Sequence, residues 1–522
     1  MSHPLDKIDH IVVLMLENRS FDNMLGFLYT PEEAPDFDGA TGQNLSNPIP
    51  PKPTARKTAP SRIASVSLTP IPTPTPAKNT LTSTANSSTS QAIPPPPQSL
   101  PDPPMTGFVR DYIETFKRER GRPPTYNEYA IIMNGFAPET VPVLSALAKN
   151  YAVCDRWFCS VPTQTLPNRA FVAAATSDGH LLNEPYPRWV FDRSPTIFDR
   201  LETAGLPWKI YHDPLDILSL TWLMQPSLWP HRHKHVADLD QFYLDVKNDA
   251  LPHYAFLEPR LLVDHNDQHP PISDVVVTSS VLAGEQLIHE VYKAIRNGPA
   301  WEKTLLIITY DEHGGCYDHV SPPVYPACPQ AVPPDDKPGE FDFLFDRLGP
   351  RVPAVLISAY TKPGMILHTI YDHTSIIKTI TARWHLPSLT RREAAAHDLG
   401  DALPLTEPRK DFPEITPRPY QPTDADQVPN EPLNHLQKAV LALSAAVQQF
   451  DRIREDQSVL QKITDLERLV KEETEVTRIK TTGEAVKFMA EILIPTTNMP
   501  KPSGKTQQGC LGWLLAKLGL CA

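Results

Sequence analysis

The sequence predicts an α/β fold, a sandwich of helices around a mostly parallel sheet. Two observations carry that expectation. Apolar, β-branched runs at residues 8–16 and 301–310 each end in a knot of acids and amides. Buried parallel strands look like this where an α/β sheet places its ligands, outside the carboxyl ends of the strands. Between residues 106 and about 420, strand-like and helix-like segments alternate, as crossover units do.

Taken in order, the first run is short enough for a buried strand and is followed at once by Glu17, Asn18, Arg19 and Asp22. Glu17 and Asn18 offer hard oxygen ligands for a cation. A solvated turn with a helix cap is the competing reading. Residues 47–104 are crowded with Pro, Ser and Thr and include Pro94-Pro95-Pro96-Pro97. That composition cannot bury a core, so the segment reads as a disordered insertion between residues 1–46 and 105–420 of one catalytic domain. Residues 161–169 gather hydroxyls, an amide and a guanidinium in a loop-to-helix turn, with the helix expected to begin between Phe171 and Thr176. A hydroxyl here serves either as a helix cap or as a nucleophile activated by a metal. Residues 280–296 and 374–384 read as helices, and 305–308 and 352–358 as strands. Asp311-Glu312-His313-Gly314-Gly315 follows the second apolar run. Adjacent carboxylates repel unless a cation or donors neutralise them, and glycines let backbone approach closely. Two such strand ends favour one shared metal site.

Residues 421–495 form a linker and an amphipathic helical region. Leu433, Leu436, Val440, Leu443, Val447 and Phe450 recur at spacings of three and four, which suits self-association or packing back on the domain. Residues 496–522 end in an apolar tail containing Cys510 and Cys521. It is too short to span a bilayer but long enough to lie on one as a peripheral contact. His231, His233 and His235 alternate, and a solvated loop is the expectation for them.

Hydrophobic residues make up 40% of the 522, enough for a large core. A net charge of −12 argues against nucleic acid as a partner. Six cysteines without a C-x-x-C pair are too few for a disulfide scaffold and read as buried thiols. The amino terminus lacks the pattern of a signal peptide, and no apolar run is long enough to span a membrane. The expected location is therefore intracellular, with unconventional export as the alternative.

Six motifs then occur in order: Glu17-Asn18-Arg19-Ser20-Phe21-Asp22, Thr165-Leu166-Pro167-Asn168-Arg169, Asp267-Gln268-His269-Pro270-Pro271, Tyr310-Asp311-Glu312-His313-Gly314-Gly315, Asp318-His319-Val320 and Tyr371-Asp372-His373-Thr374-Ser375. Together they resemble the bacterial and fungal phosphoesterase family of phosphatidylcholine-type phospholipases C and related acid phosphatases. The resemblance covers residues 5 to 390 apart from the Pro-rich insertion. It implies an alkaline-phosphatase-like core and a metal held by Glu17, Asn18, Asp311 and Glu312. It also implies Thr165 as a nucleophile that touches this metal. His269, His319, Asp372 and His373 match further catalytic positions. Asn168, Arg169 and, in a looser match, Lys209 correspond to substrate-binding or structural positions. One departure stands out: the family carries Gly-Pro before this threonine and this chain carries Thr163-Gln164, which leaves Thr163 as a rival nucleophile.

The oxygen ligands favour Ca²⁺, Mg²⁺ or Mn²⁺, while the nearby histidines keep Zn²⁺ in play. The implied substrate is a phospholipid or another phosphate ester. Phospholipase C action is the leading reading, and an acid phosphatase acting on monoesters is the runner-up. An inactive binding scaffold is the alternative of another class.

Overall fold

The computed structural model describes residues 3–50, 65–67, 69–71, 105–184, 188–189, 194–216, 218–261, 265–270, 280–420, 440–444 and 484. Most of the Pro-rich insertion, most of the helical region after residue 420 and the whole apolar tail lie outside them.

The core is an eight-stranded sheet. In chain order its strands are β1 (His10–Leu16), β2 (Ala152–Cys154), β3 (Trp208–His212), β4 (Val236–Asp238), β5 (Tyr254–Leu257), β6 (Thr304–Tyr310), β7 (Ala354–Ile357) and β8 (Met365–Leu367). Their order across the sheet is β8-β2-β7-β6-β1-β5-β3-β4. β1 pairs in parallel with both β5 and β6, and only β7 runs against its neighbours. This is the mixed α/β architecture that the alternating pattern predicts.

Every residue of β6 is buried, as is every residue of β1 after His10, so both faces of the central strands are covered. Five helices position the strand ends and the loops around them: α1 (Phe21–Met24), α2 (Pro142–Asn150), α3 (Thr165–Ala174), α4 (Val281–Asn297) and α5 (Thr374–Trp384). α2 packs on α4, and α3 packs on α5. Among the described residues no helix is long and apolar enough to cross a membrane.

Three expectations change. The helix expected to begin at Phe171 or later begins at Thr165. Pro167 does not prevent this, because its missing N–H falls in the first turn, where no intrahelical partner exists. The three alternating histidines are not in a loop. A 3-10 turn, Pro226–His231, runs into a short helix, Arg232–His235, which buries His235. The insertion is not wholly without structure: Ser65–Ser67 pairs with Ser46–Pro48 at its own start, and Thr69–Ile71 ties it to the domain by pairing with Asn134–Phe136. Other readings hold. Cys154, Cys159, Cys316 and Cys328 are buried free thiols. Val440 to Leu443, at the start of the amphipathic pattern, join the main core, which favours packing back on the domain.

The loops after β1 and β6 are fastened to the start of β7 by one buried ionic network. Arg351 donates from Nε to Asp318 Oδ1 (2.9 Å) and from Nη2 to Asp22 Oδ1 (3.0 Å). Its Nη1 donates to the carbonyls of Asp38 and Asp155, both at 2.8 Å. His319 completes the network, with Nδ1 2.8 Å from Asp22 Oδ2 and Nε2 3.1 Å from Asp38 Oδ1. Burial opposes its charge, but these two carboxylates outweigh burial and raise its pKa from 6.5 to about 9.

A pKa raised in the folded state contributes stability that is complete below the unfolded value of 6.5 and is lost as pH rises through about 9. A shift of this size corresponds to roughly 3 kcal/mol. Denaturant unfolding of wild type and His319→Gln across pH 6 to 10 should therefore show a gap of about 2–3 kcal/mol at the acid end that closes by the alkaline end. A gap independent of pH would contradict a protonated His319.

Candidate active site at the strand ends

The register of the sheet builds the site. Leu16 lies opposite Tyr310, so the residues after them emerge side by side. The Asn18 backbone N–H donates to Asp311 Oδ1 (2.8 Å), and Asn18 Nδ2 donates to Glu312 Oε1 (2.5 Å). Asn18 itself is left-handed, with φ of 53°, a conformation that asparagine accepts more readily than most residues. Gly314 closes the arrangement. It has positive φ, and a Cβ there would meet the Asn18 carbonyl oxygen at 2.1 Å, so no other residue fits.

Helix α3 delivers the next groups. Thr165 is its first residue and Arg169 lies one turn later, on the same face. Arg169 grips Glu17 Oε1 through Nε (2.9 Å) and Nη2. Its Nη1 stands 3.8 Å from Glu258 Oε1, directly after β5. The loop before the helix hangs on Asn168, which accepts from Val161 N–H and donates to the carbonyls of Val161, Thr163 and Gln164. Its amide is therefore occupied in shaping the turn. Thr163 donates its hydroxyl to the Leu181 carbonyl, whereas Thr165 makes no side-chain hydrogen bond to any described residue.

Four carboxylates, Glu17, Glu258, Asp311 and Glu312, are buried at these strand ends, and the Arg169 guanidinium reaches two of them, Glu17 and Glu258. Burial raises Glu17 well above the ordinary carboxylate range; Arg169 opposes this, and Asp311 and Asp267 add to it. Burial and then the charge of Glu312 push Asp311 up to about 7. Glu17 Oε2, Asn18 Oδ1 and Asp311 Oδ2 are buried without a hydrogen-bond partner among the described residues. Buried polar atoms are rarely left so, and these three belong to three of the four expected metal ligands. A hard divalent cation fits this donor set. His313 Nδ1, 3.4 Å from Glu312 Oε2, is also without a hydrogen-bond partner among the described residues and adds a nitrogen donor beside the oxygens.

The other expected residues fall into distinct roles. His269 sits on a loop whose Asp267 carbonyl accepts from Glu17 N–H (2.9 Å), so this loop abuts the end of β1. Its Nδ1 donates to the Pro270 carbonyl, and burial lowers its pKa to about 4 despite the Asp267 carboxylate. His373 donates from Nε2 to the Asp311 carbonyl (2.6 Å) and faces Trp157 Nε1 through Nδ1 (3.5 Å). It is likewise held neutral by burial, with its pKa near 4. Asp372 accepts from Ser160 and Thr374 hydroxyls at the start of α5. His319 belongs to the Arg351 network. Lys209 is not brought to the site. It lies level with Val12 in the sheet, five residues or roughly 16 Å below Glu17, and its ammonium pairs with Asp245 Oδ2 at 2.5 Å. Glu258 is a residue that sequence reasoning misses, although it follows an apolar run in the same manner as Glu17 and Asp311. Asp267, which fastens His265 and the backbone of His269, is equally hidden.

The model of the Phosphoesterase family matches residues 8–387. The non-specific phospholipase C3 of Arabidopsis thaliana is 33% identical over 476 residues, covering 86% of this chain and 84% of that protein. Phospholipase C B of Mycobacterium tuberculosis is 30% identical over 365 residues, covering 61% and 66%. Among solved structures, a protein of the alkaline phosphatase superfamily from Vibrio parahaemolyticus matches with a TM-score of 0.31 at 12% identity, over 49% of this chain and 63% of that one. The family match begins just ahead of β1 and runs past the end of α5, enclosing every strand of the sheet: the chain belongs to the Phosphoesterase family and is a hydrolase acting on phosphoric ester bonds.

Proposed function

We propose that this hydrolase is a metal-dependent phospholipase C with Thr165 as nucleophile, releasing diacylglycerol and a phosphorylated head group. The observation that carries the reading is the placement of Thr165: its hydroxyl is uncommitted at the start of α3, one turn from the arginine that holds Glu17. The relatives named as phospholipases C support the substrate class. We assign the catalytic domain to residues 1–46 and 105–420 around a Pro/Ser/Thr-rich insertion at 47–104, followed by a linker and amphipathic helical region at 421–495 and an apolar tail at 496–522 suited to peripheral membrane contact.

Thr165 attacks phosphorus as its alkoxide, its hydroxyl proton having passed to solvent, and the bond from phosphorus to the lipid oxygen breaks as the lipid alkoxide leaves. The positive end of α3 faces the phosphate, which suits an anion. His269 is neutral in the free protein, and a bound phosphate anion favours its protonated form. It then gives its proton to the leaving alkoxide and takes one from the water that cleaves phosphothreonine. A divalent cation held by Glu17, Asn18, Asp311 and Glu312, with Thr165 beside it, would neutralise the carboxylates and acidify the threonine hydroxyl. His373 and Asn168 act as positioning residues, the first through the Asp311 backbone and the second through the turn before Thr165.

Hydrolysis of p-nitrophenyl phosphorylcholine should fall at least about a thousandfold in Thr165→Ala, as expected for a lost nucleophile. Thr163→Ala should keep its turnover and lose only about 1 kcal/mol of stability with its hydrogen bond. The reverse result would transfer the nucleophile to Thr163. Faster turnover of p-nitrophenyl phosphate than of the diester would move the assignment to a phosphatase.

Chelation should abolish diester turnover, and added Ca²⁺, Mg²⁺ or Mn²⁺ should restore it. Asp311→Asn should purify with less bound metal than wild type by elemental analysis. Unchanged activity in chelator would refute the cation.

A further inference from the structure

At the amino end of β3, away from the strand-end carboxylates, a second set of ligands converges. Glu202 comes from the helix Ile197–Thr203, His231 closes the 3-10 turn and His235 closes the short helix before the edge strand β4. One ligand atom from each lies within 4.8 Å of the other two. We propose that Glu202, His231 and His235 form a binding site for a zinc-class transition-metal dication that staples this helix to the edge of the sheet.

The orientation of His235 is decisive. Its Nδ1 is 2.7 Å from the Trp208 carbonyl, which can only accept, so Nδ1 carries the proton. The lone pair is therefore on Nε2, which is buried and makes no hydrogen bond among the described residues. That nitrogen stands 2.9 Å from Glu202 Oε2. A lone pair pointed at a carboxylate oxygen is repulsive unless a proton or a cation lies between them. Trp208 supports both ligands, because its indole N–H donates to Glu202 Oε2 (3.1 Å) and its ring stacks on His235 at 3.9 Å. Histidine metal ligands are held in this way, with the far ring nitrogen donating to a backbone carbonyl.

The geometry needs only small adjustment. Zinc bonds of about 2.0–2.2 Å in a tetrahedron separate neighbouring ligands by roughly 3.3 Å. Glu202 and His235 must open by a few tenths of an ångström, and the partly exposed His231 already brings a ring nitrogen within 4.8 Å of both. Lys234 holds Glu202 Oε1 at 2.9 Å, but its exposed side chain can withdraw. Two imidazoles and one carboxylate suit Zn²⁺ better than the hard cations expected at the strand ends. The site has no part in phosphoester cleavage, since β3 runs its length between Trp208 and the carboxyl end of the sheet.

The test uses the full chain in an Asp311→Asn background, which weakens the strand-end centre. After chelation and dialysis, zinc is titrated calorimetrically and thermal unfolding is followed with and without it. The parent should bind one zinc and unfold at a higher temperature with it, and adding His231→Ala, a half-exposed position, should remove both effects. Separately, the single substitution His231→Ala should leave diester hydrolysis unchanged. Equal zinc binding and equal thermal shifts with and without His231→Ala would overturn the site, as would the absence of zinc binding in the parent.

Discussion

The concentration of buried negative charge at the carboxyl ends of β1, β5 and β6 is the constraint around which the rest of the molecule is arranged. Parallel pairing in register brings Glu17, Glu258, Asp311 and Glu312 together whether or not they attract. Burying a carboxylate without compensation costs several kcal/mol, roughly, even after relaxation. One guanidinium, that of Arg169, is shared between two of them. Backbone N–H groups and the Asn18 amide serve Asp311 and Glu312. What remains is a deficit of positive charge and four buried oxygens, on Glu17, Asn18, Glu258 and Asp311, without hydrogen-bond partners among the described residues; the proposed cation answers the deficit and takes three of the four.

The histidines around this centre divide by what they face. His269 and His373 give a ring N–H to a backbone carbonyl, and burial keeps them neutral. His319 faces two carboxylates and is charged in spite of burial. Neutral imidazoles next to the carboxylates hold backbone in place without changing the local charge. The charged one sits where Asp22, Asp38 and Asp318 outnumber Arg351, and there it locks the loops that frame the site. In the proposed mechanism the same residue type thus serves as a proton carrier, a positioning group or a structural ion, according to its partner.

That division marks the limit of what is legible in the sequence. The acids after β1 and β6 are readable because strand and ligand are contiguous and the apolar runs are long. Glu258 ends a run of only four apolar residues, too short to stand out. Lys209 is a misleading match because a short motif gives no register: only the pairing of β3 with β5 reveals that it lies at the wrong end of the sheet. The start of α3 is hard to place because Pro167 looks like a boundary, whereas a proline in the first turn costs no hydrogen bond. The histidine roles depend on partners up to hundreds of residues away, which no local pattern encodes.

Charge also bears on which phosphate ester suits the site. A monoester brings two negative charges near neutral pH and a diester one. In the proposed assembly a divalent cation and Arg169 do not fully balance four ionised carboxylates, so the centre stays negative before substrate arrives. Adding a dianion to such a centre costs more than adding a monoanion, because like charges in a low-dielectric site repel strongly. A diester brings a single charge, so within the proposed assembly the electrostatics of the strand ends favour a phosphodiester over a phosphomonoester.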